Sequence, residues 1–563
     1  MNLQDLINSL LSDTLSISLP LFLPELALCG TIVLLLLVRV LPGGDRIPSF
    51  LLALIGSGVA LWLALKTSSE GHPPQELFTG MLVYDSLTAS MRVFLLIFAV
   101  LFVVLARLTG IADREDGQDF YTLALGATLG MCIMASANHL LTIFLGIEMA
   151  SVPSYVLAGI VKGRRRSSEA ALKYAVYGAG TAGVMLYGIS LLAGVLGSVH
   201  LPTMAGKLAA MDLPAMLASG DERLTVMVLA LGGLMMGVGL AFKLSAVPFH
   251  FWCPDVFEGA SAEVDAFLSV ASKAAALVLL VRVGFGLGQL PEASTDNQAA
   301  DHVPAIVATD TATFKAVSFE PVQVDTTAEE SPLSPVRRYF VILTAIVAVV
   351  SCTFGNLAAY GQTNIKRMLA YSTIAHAGYM MMAVAAAVAL LGRRHGGSQE
   401  ALSALMLYIV FYLFMNLGAF AIVAFLRNSM QSEEIADYGG LIRSCPLITV
   451  MMTVILMSLI GLPPLAGFWP KLRVLQALYS AGGTLMIFVF VVAGLNTAIS
   501  LVYYLRVAKT MCIDPEPDSR GPVSIGFLPG AYALIISLPI IVFGILPDRF
   551  AQWADMAVSQ LFR

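Results

Sequence analysis

The sequence predicts an all-α polytopic membrane protein with about fourteen spanning helices. Three observations carry this. Hydrophobic residues make up 58% of the 563, charged residues only 12%, and the mean hydropathy is +0.83, a balance far from that of a soluble domain. Runs such as Leu21 to Leu41, Val93 to Ala106 and Tyr339 to Val350 are too apolar for a water-facing surface. These runs also lack the polar–apolar alternation of a transmembrane β-barrel.

At about 20 residues per crossing, spans are expected at 21–42, 49–66, 88–110, 119–137, 139–161, 168–197, 224–248, 263–287, 338–360, 366–391, 401–427, 446–470, 484–512 and 526–547. The first carries Glu25 near its outer end, where a capping or packing role is expected. The third and eighth carry Arg92 and Arg282, which are expected to snorkel to the interface. Basic groups follow the odd-numbered spans: Arg39 and Arg46, Arg107 and Arg114, Lys162 with Arg164 to Arg166, Lys366 with Arg367, and Arg506 with Lys509. An even count puts both termini on one side, and the positive-inside rule makes the opposite side cytoplasmic. Arg337, Arg338, Arg393 and Arg394 do not follow that bias. Met1 to Ser16 has no basic n-region, so a cleaved signal peptide is not expected.

One connection differs from the rest. Residues 289–336 hold Glu292, Asp296, Asp301, Asp310, Glu320, Asp325, Glu329 and Glu330 against a single Lys315, and several prolines interrupt them. This composition predicts a loosely ordered outer loop, with Phe314 to Val324 as a possible strand. The six cysteines are scattered without metal-ligand or disulfide spacing, and read as small packing residues.

Four ionisable residues stand inside otherwise apolar spans: Glu148, Lys243, Lys273 and Lys471. A charge at the bilayer centre costs on the order of 2.5 to 3.5 kcal/mol on insertion scales, so retained charges face one another or water along a path. A desolvated lysine gives up and regains protons near neutral pH. His250 and His376 are further relay candidates, weighed evenly against hydrogen-bonded packing. Two proline breaks accompany the lysines. Ala246 to His250, with Pro248, closes the seventh span after Lys243. Gly461 to Gly467, with Pro463 and Pro464, interrupts the twelfth before Lys471. Such breaks are tolerated at membrane depth where the freed backbone lines a cavity, and a pair of them five spans apart is the sequence sign of a repeat transporter.

Six segments carry a family resemblance: Phe144 to Glu148, Ser167 to Tyr174, Phe242 to Gly259, Ala266 to Ala275, Gly361 to Tyr379 and Gly461 to Phe468. In this order they resemble the antiporter-like subunits of the bacterial proton-pumping NADH:quinone oxidoreductase, respiratory complex I. The tracts Ala375-His376-Ala-Gly-Tyr379 and Ser168 to Lys173 are similar to subunit N rather than L or M. The resemblance runs from about residue 20 to 547, apart from the insertion.

The resemblance implies a fourteen-helix pump module with two inverted five-helix repeats, and divides the chain into 1–118, a first repeat 119–288, the insertion 289–337, a second repeat 338–512 and a C-terminal part 513–563. It makes Glu148 and Lys243 a paired acid and lysine, Lys273 the central lysine and Lys471 the distal one, with Lys173 a further lysine of the pattern. It implies bacterial inner-membrane localisation with periplasmic termini, and no redox centre, cofactor or metal in this chain. FMN, iron–sulfur clusters and quinone then belong to partner subunits, and the partners are other membrane subunits and lipid, with no nucleic acid. Two departures stand out. Ala260 to Asp265 has lost two prolines and gained Glu263 and Asp265, for which helix capping is expected, with a changed proton entrance as the alternative. Pro470 precedes Lys471, and Arg473 adds like-charge repulsion nearby. A component of an Mrp-type Na⁺ or K⁺/H⁺ antiporter is the competing function, as is a subunit of a related ferredoxin-driven complex.

Overall fold

A computed structural model describes residues 3–41, 47–112, 117–220, 222–290, 331–392, 396–518 and 520–562. Thirteen helices among them are long and apolar enough to cross a membrane. In chain order these are span 1 (Leu23–Val40), span 2 (Ser49–Ser69), span 3 (Ser86–Thr109), span 4 (Gly117–Ser136), span 5 (Leu140–Ala158), span 6 (Arg165–Leu196), span 7 (Arg223–Leu244), span 8 (Ala262–Gly288), span 9 (Ser334–Ala359), span 10 (Ile365–Ala389), span 11 (Gly397–Met430), span 13 (Gly483–Cys512) and span 14 (Phe527–Ile545). Two shorter helices, Pro446–Ile460 and Phe468–Ala481, together form span 12. The chain is an all-α polytopic membrane protein, as its composition predicts.

Burial sorts the spans into layers. Every residue of the apolar window of span 8 is buried, as are 94% in span 10 and 89% in span 11, against 22% in span 7 and 28% in spans 2, 6 and 13. Spans 8, 10 and 11 are therefore the core, and the outer spans present apolar side chains to lipid or to neighbours. Without a hydrophobic drive between helices in lipid, close packing depends on small residues. Spans 9 and 10 show it: a Cβ on Gly355 would lie 2.7 Å from the Ala375 nitrogen, and one on Gly378 would lie 2.7 Å from the Cys352 nitrogen.

Both proline breaks interrupt a span rather than end it. Span 7 was expected to close at Ala246–His250. Its helix stops at Leu244, where Ser245 adopts φ 55°, and resumes as Trp252–Gly259. Pro248 has no donor to continue the ladder, and the Ser245 and Ala246 nitrogens bond back to Phe242 and Ala241. Span 12 stops at Ile460, where Gly461 adopts φ 91°. The Gly467 nitrogen then donates to Ser458 Oγ at 3.0 Å, and the second half runs to Ala481, well past the expected end at 470.

Arg92 and Arg282 do not snorkel. Arg92 is 2% exposed, lies 2.6 Å from Glu25 and donates to the Leu21 carbonyl, so Glu25 is an ion-pair partner rather than a cap. Arg282 grips Asp85 with two nitrogens, at 2.5 and 2.6 Å, and also donates to Thr88 Oγ1 and the Ala135 carbonyl. Buried guanidinium groups need such partners, and the bidentate fork suits a carboxylate. Among the elements that went unanticipated are a hairpin (Gln75–Leu77 with Leu82–Tyr84), short helices Leu201–Ala209 and Leu213–Ala218, and a terminal helix Asp548–Val558. Residues 291–330, including Phe314 to Val324, lie outside the described residues, as do Arg46, Arg114, Arg393 and Arg394.

Candidate functional site

The two breaks place the buried lysines. Where a helix stops inside the protein, its last carbonyls have no intrahelical partner, and the negative end of the macrodipole favours a cation. At the end of the first half of span 7, that cation is Lys273 of span 8. It is 1% exposed and donates to the Leu244 carbonyl at 2.9 Å and to Ser245 Oγ at 2.7 Å. At the end of the first half of span 12, the cation is Lys471 of the second half. It is 5% exposed and donates to the Leu459 and Ile460 carbonyls, each at 2.9 Å. Each ammonium also faces an aromatic ring, Lys273 at 5.8 Å from the Trp252 centroid and Lys471 at 4.8 Å from that of Tyr379, a favourable cation–π setting. Arg473 engages Ser403 Oγ instead, at 3.5 Å.

Lys243 sits one residue before its helix ends and is 1% exposed. Its ammonium donates to Ser151 Oγ at 3.0 Å. Glu148 lies on the same span as Ser151, within electrostatic reach of Lys243, yet no ion pair within 4 Å joins them among the described residues. Glu148 is half-buried and opens on an apolar groove of about 430 Å³ lined by Leu129, Leu145, Met149, Val152 and Pro153. The acid thus opens on the flank of the molecule while the lysine is buried, and Lys243 reaches the acid's span through Ser151.

His376 is 2% exposed at the centre of span 10. Its Nδ1 pairs with the Tyr408 hydroxyl at 2.9 Å and its Nε2 with that of Tyr504 at 3.2 Å, which also bonds Ser372. Tyr412 donates to Thr373 and accepts from Asn416. This hydroxyl network was missed, although Tyr408, Tyr412 and Asn416 recur every four residues along span 11, one face of a helix. His250 is buried against Phe251 and Phe354 with its Nδ1 unbonded.

Lys173 stands apart. It is held by Glu169 at 2.9 Å and Asp255 at 2.7 Å, in a surface cavity of about 240 Å³ completed by Arg166, Glu258 and Arg367. Glu263 and Asp265 lie in the first turn of Ala262–Ser269, as expected, where they complement the macrodipole, but neither supplies the side-chain cap. Ser261 Oγ takes the Val264 nitrogen, while both acids are buried, at 2% and 0% exposed. Among the described residues, no group of three or more His, Cys, Asp or Glu is placed to hold a metal.

The chain matches the family model described as NADH:quinone oxidoreductase/Mrp antiporter, TM, over residues 137–295 and 330–497. It is 35% identical to NADH-quinone oxidoreductase subunit N of Anaeromyxobacter sp. (strain Fw109-5), over 96% of each chain. It aligns with a chain of respiratory complex I from Thermus thermophilus at 28% identity and TM-score 0.68, covering 94% of this chain and 98% of that one. A chain of the Mrp complex from Dietzia sp. DQ12-45-1b gives TM-score 0.74 at 18% identity, over 96% and 98%, a likeness of fold. With more than half of its length in the family model and a near full-length relative, the chain belongs to the NADH:quinone oxidoreductase/Mrp antiporter transmembrane family.

Proposed function

We propose that this chain is the non-redox, proton-translocating membrane-arm subunit N of an NADH:quinone oxidoreductase. The observation that carries the reading is the pair of broken spans, each ending on carbonyls held by a buried lysine, Lys273 and Lys471. A cation that neutralises a helix end without a carboxylate partner can surrender its proton and still be replaced by another donor. Lys243, bonded among the described residues only to a serine hydroxyl, continues this series toward Glu148 at the flank. In this reading Glu148, Lys243, Lys273 and Lys471 carry protons, His376 and the tyrosine hydroxyls join the last two, and Lys173 sits at the mouth on the basic side. The apolar groove at Glu148 is where a neighbouring membrane subunit would act on that acid.

Two spans five apart, 7 and 12, each broken beside a proline with a buried lysine at the break, support two inverted repeats, at 119–288 and 338–512. The basic residues that follow odd-numbered spans support a cytoplasmic side opposite the termini, in a bacterial inner membrane. FMN, iron–sulfur clusters and quinone then reside in partner subunits, to which this chain supplies the proton path. The Mrp reading rests on likeness of fold, and the 35% identity to a subunit N across 96% of both chains favours the oxidoreductase.

The test is Lys243→Ala in the assembled complex, in sealed vesicles energised with NADH. Proton uptake and coupled quinone reduction should both fall. Glu148→Gln should act similarly, and the double variant should lose less than the sum if the two residues act through one another. Normal pumping by an assembled Lys243→Ala complex refutes the role.

A further inference from the structure

A further polar cluster lies off the line of the path residues, where span 8 begins. Lys366, at the start of span 10, is 2% exposed. Its ammonium donates to the Ala260 carbonyl at 2.6 Å and the Glu258 carbonyl at 3.2 Å, and pairs with Glu433 Oε1 at 3.0 Å. Arg427 stands 3.2 Å from the same Glu433 oxygen. Asp265 receives none of this. It is wholly buried, its Oδ2 lies 4.0 Å from Lys366 Nζ, and neither carboxyl oxygen has a hydrogen-bond partner. The charged groups acting on it are Lys366 from span 10, Glu433 and Arg427 from span 11 and the turn after it, and Glu263 from its own helical turn.

Asp265 lies in a first helical turn, where its charge complements the macrodipole, but a structural acid there would also bond the helix end or pair with the lysine. Ser261 does the first and Glu433 the second. A buried polar group without a partner is costly, so static bonding does not explain Asp265. Its position does. Ser269 lies one turn further along the first piece of span 8, which ends there, and Ser272 and Lys273 open the second piece directly after the break at Val270. Glu433 retains 18% side-chain exposure at the loop edge. The order Glu433, Lys366, Asp265 runs inward from that edge, and the piece that carries Asp265 leads to the break at Val270, three residues before Lys273.

We propose that Asp265 is a proton-carrying acid that loads Lys273 from the Lys366 side of the protein. When the Lys366 ammonium turns from Glu433 toward Asp265, one N–H bond breaks and one Asp265 O–H bond forms. The Lys366 amine regains a proton from the Glu433 edge. Asp265 passes its proton along the Ser269 face to the Lys273 amine and returns to carboxylate, with no electrons moved. The inference rests on the proton-translocating reading above.

The experiment uses the assembled complex in sealed vesicles energised with NADH, carrying Asp265→Asn or Asp265→Glu. Asparagine keeps the shape of a carboxyl but has no proton to pass on. A positioned proton carrier contributes roughly 100-fold or more, so Asp265→Asn should slow ΔpH formation about a hundredfold while Asp265→Glu retains most of it. Infrared difference spectra should lose a protonated-carboxyl band in Asp265→Asn and show it shifted in Asp265→Glu. Wild-type pumping by Asp265→Asn, or equal failure of both assembled variants, overturns the proposal. If Asp265→Asn does not assemble, the infrared comparison of wild type with Asp265→Glu decides: a shifted band supports the proposal and an unchanged one overturns it. A wild-type complex that oxidises NADH without forming ΔpH refutes the translocation reading itself, and the inference falls with it.

Discussion

Lys471 has two separable duties, and two substitutions divide them. Lys471→Met removes both donors from the Leu459 and Ile460 carbonyls, leaving a buried helix end unsatisfied. Hydrogen bonds from a charged donor contribute roughly 1.5 to 3 kcal/mol each. Methionine fills much of the space, so a loss of about 3 kcal/mol is expected, which is roughly a hundredfold in the folding equilibrium. Lys471→Arg keeps a cation with donors at the same place but cannot deprotonate, so it should destabilise far less. The stability of the purified complex is read by denaturant titration, and pumping by a ΔpH-sensitive dye in vesicles. The expected pattern is a destabilised, inactive Lys471→Met and a stable Lys471→Arg that pumps poorly. Stability of Lys471→Met equal to wild type refutes the helix-end role. Wild-type pumping by Lys471→Arg refutes proton release from this side chain.

Lys273→Arg should likewise assemble and pump poorly, because arginine can still bond the Leu244 carbonyl but cannot hand on a proton; unchanged ΔpH formation would leave Lys273 only an electrostatic part. Asp85→Ala strands the buried Arg282 and removes the acceptor for the Thr88 nitrogen, so it should cost about 3 to 5 kcal/mol. The double variant Asp85→Ala with Arg282→Met should recover much of that loss in a denaturation cycle, and strict additivity would show that the pair does not couple.

What the sequence made legible were features with a local signature. A charge inside an apolar run and a proline beside it need no partner to be noticed, so Lys243, Lys273, Lys471 and both breaks were visible, and the spans with them. What the charges bond to was not, because Ser151, Ser245 and the carbonyls at Leu459 and Ile460 reach them only through tertiary packing. Arg92 and Arg282 were misread for the same reason. Their acids, Glu25 and Asp85, lie far away in the chain, and position near a span end suggested snorkelling. Position also suggested capping for Glu263 and Asp265, whereas Ser261 took the cap and the acids went inward. The break in span 7 looked like an end because proline stops a helix without saying whether it starts again. The strands of the hairpin, three residues each, are too short to leave a periodic signal.

The clamp between Arg282 and Asp85 bears on how protons can move. Lys273 and Arg282 share one unbroken helix, Ala271–Gly288, about 13 Å apart along its axis at about 1.5 Å per residue. Sliding that helix would tear a bidentate buried pair, a cost of about 3 to 5 kcal/mol, whereas turning a lysine side chain to a new rotamer costs on the order of 1 kcal/mol. The central lysine is therefore mounted on a fixed post. Changes that reach it must come through what it touches, the unwound end of span 7 at Leu244 and Ser245 and the ring of Trp252 beyond the break. The stationary part carries the charge, and its surroundings do the switching.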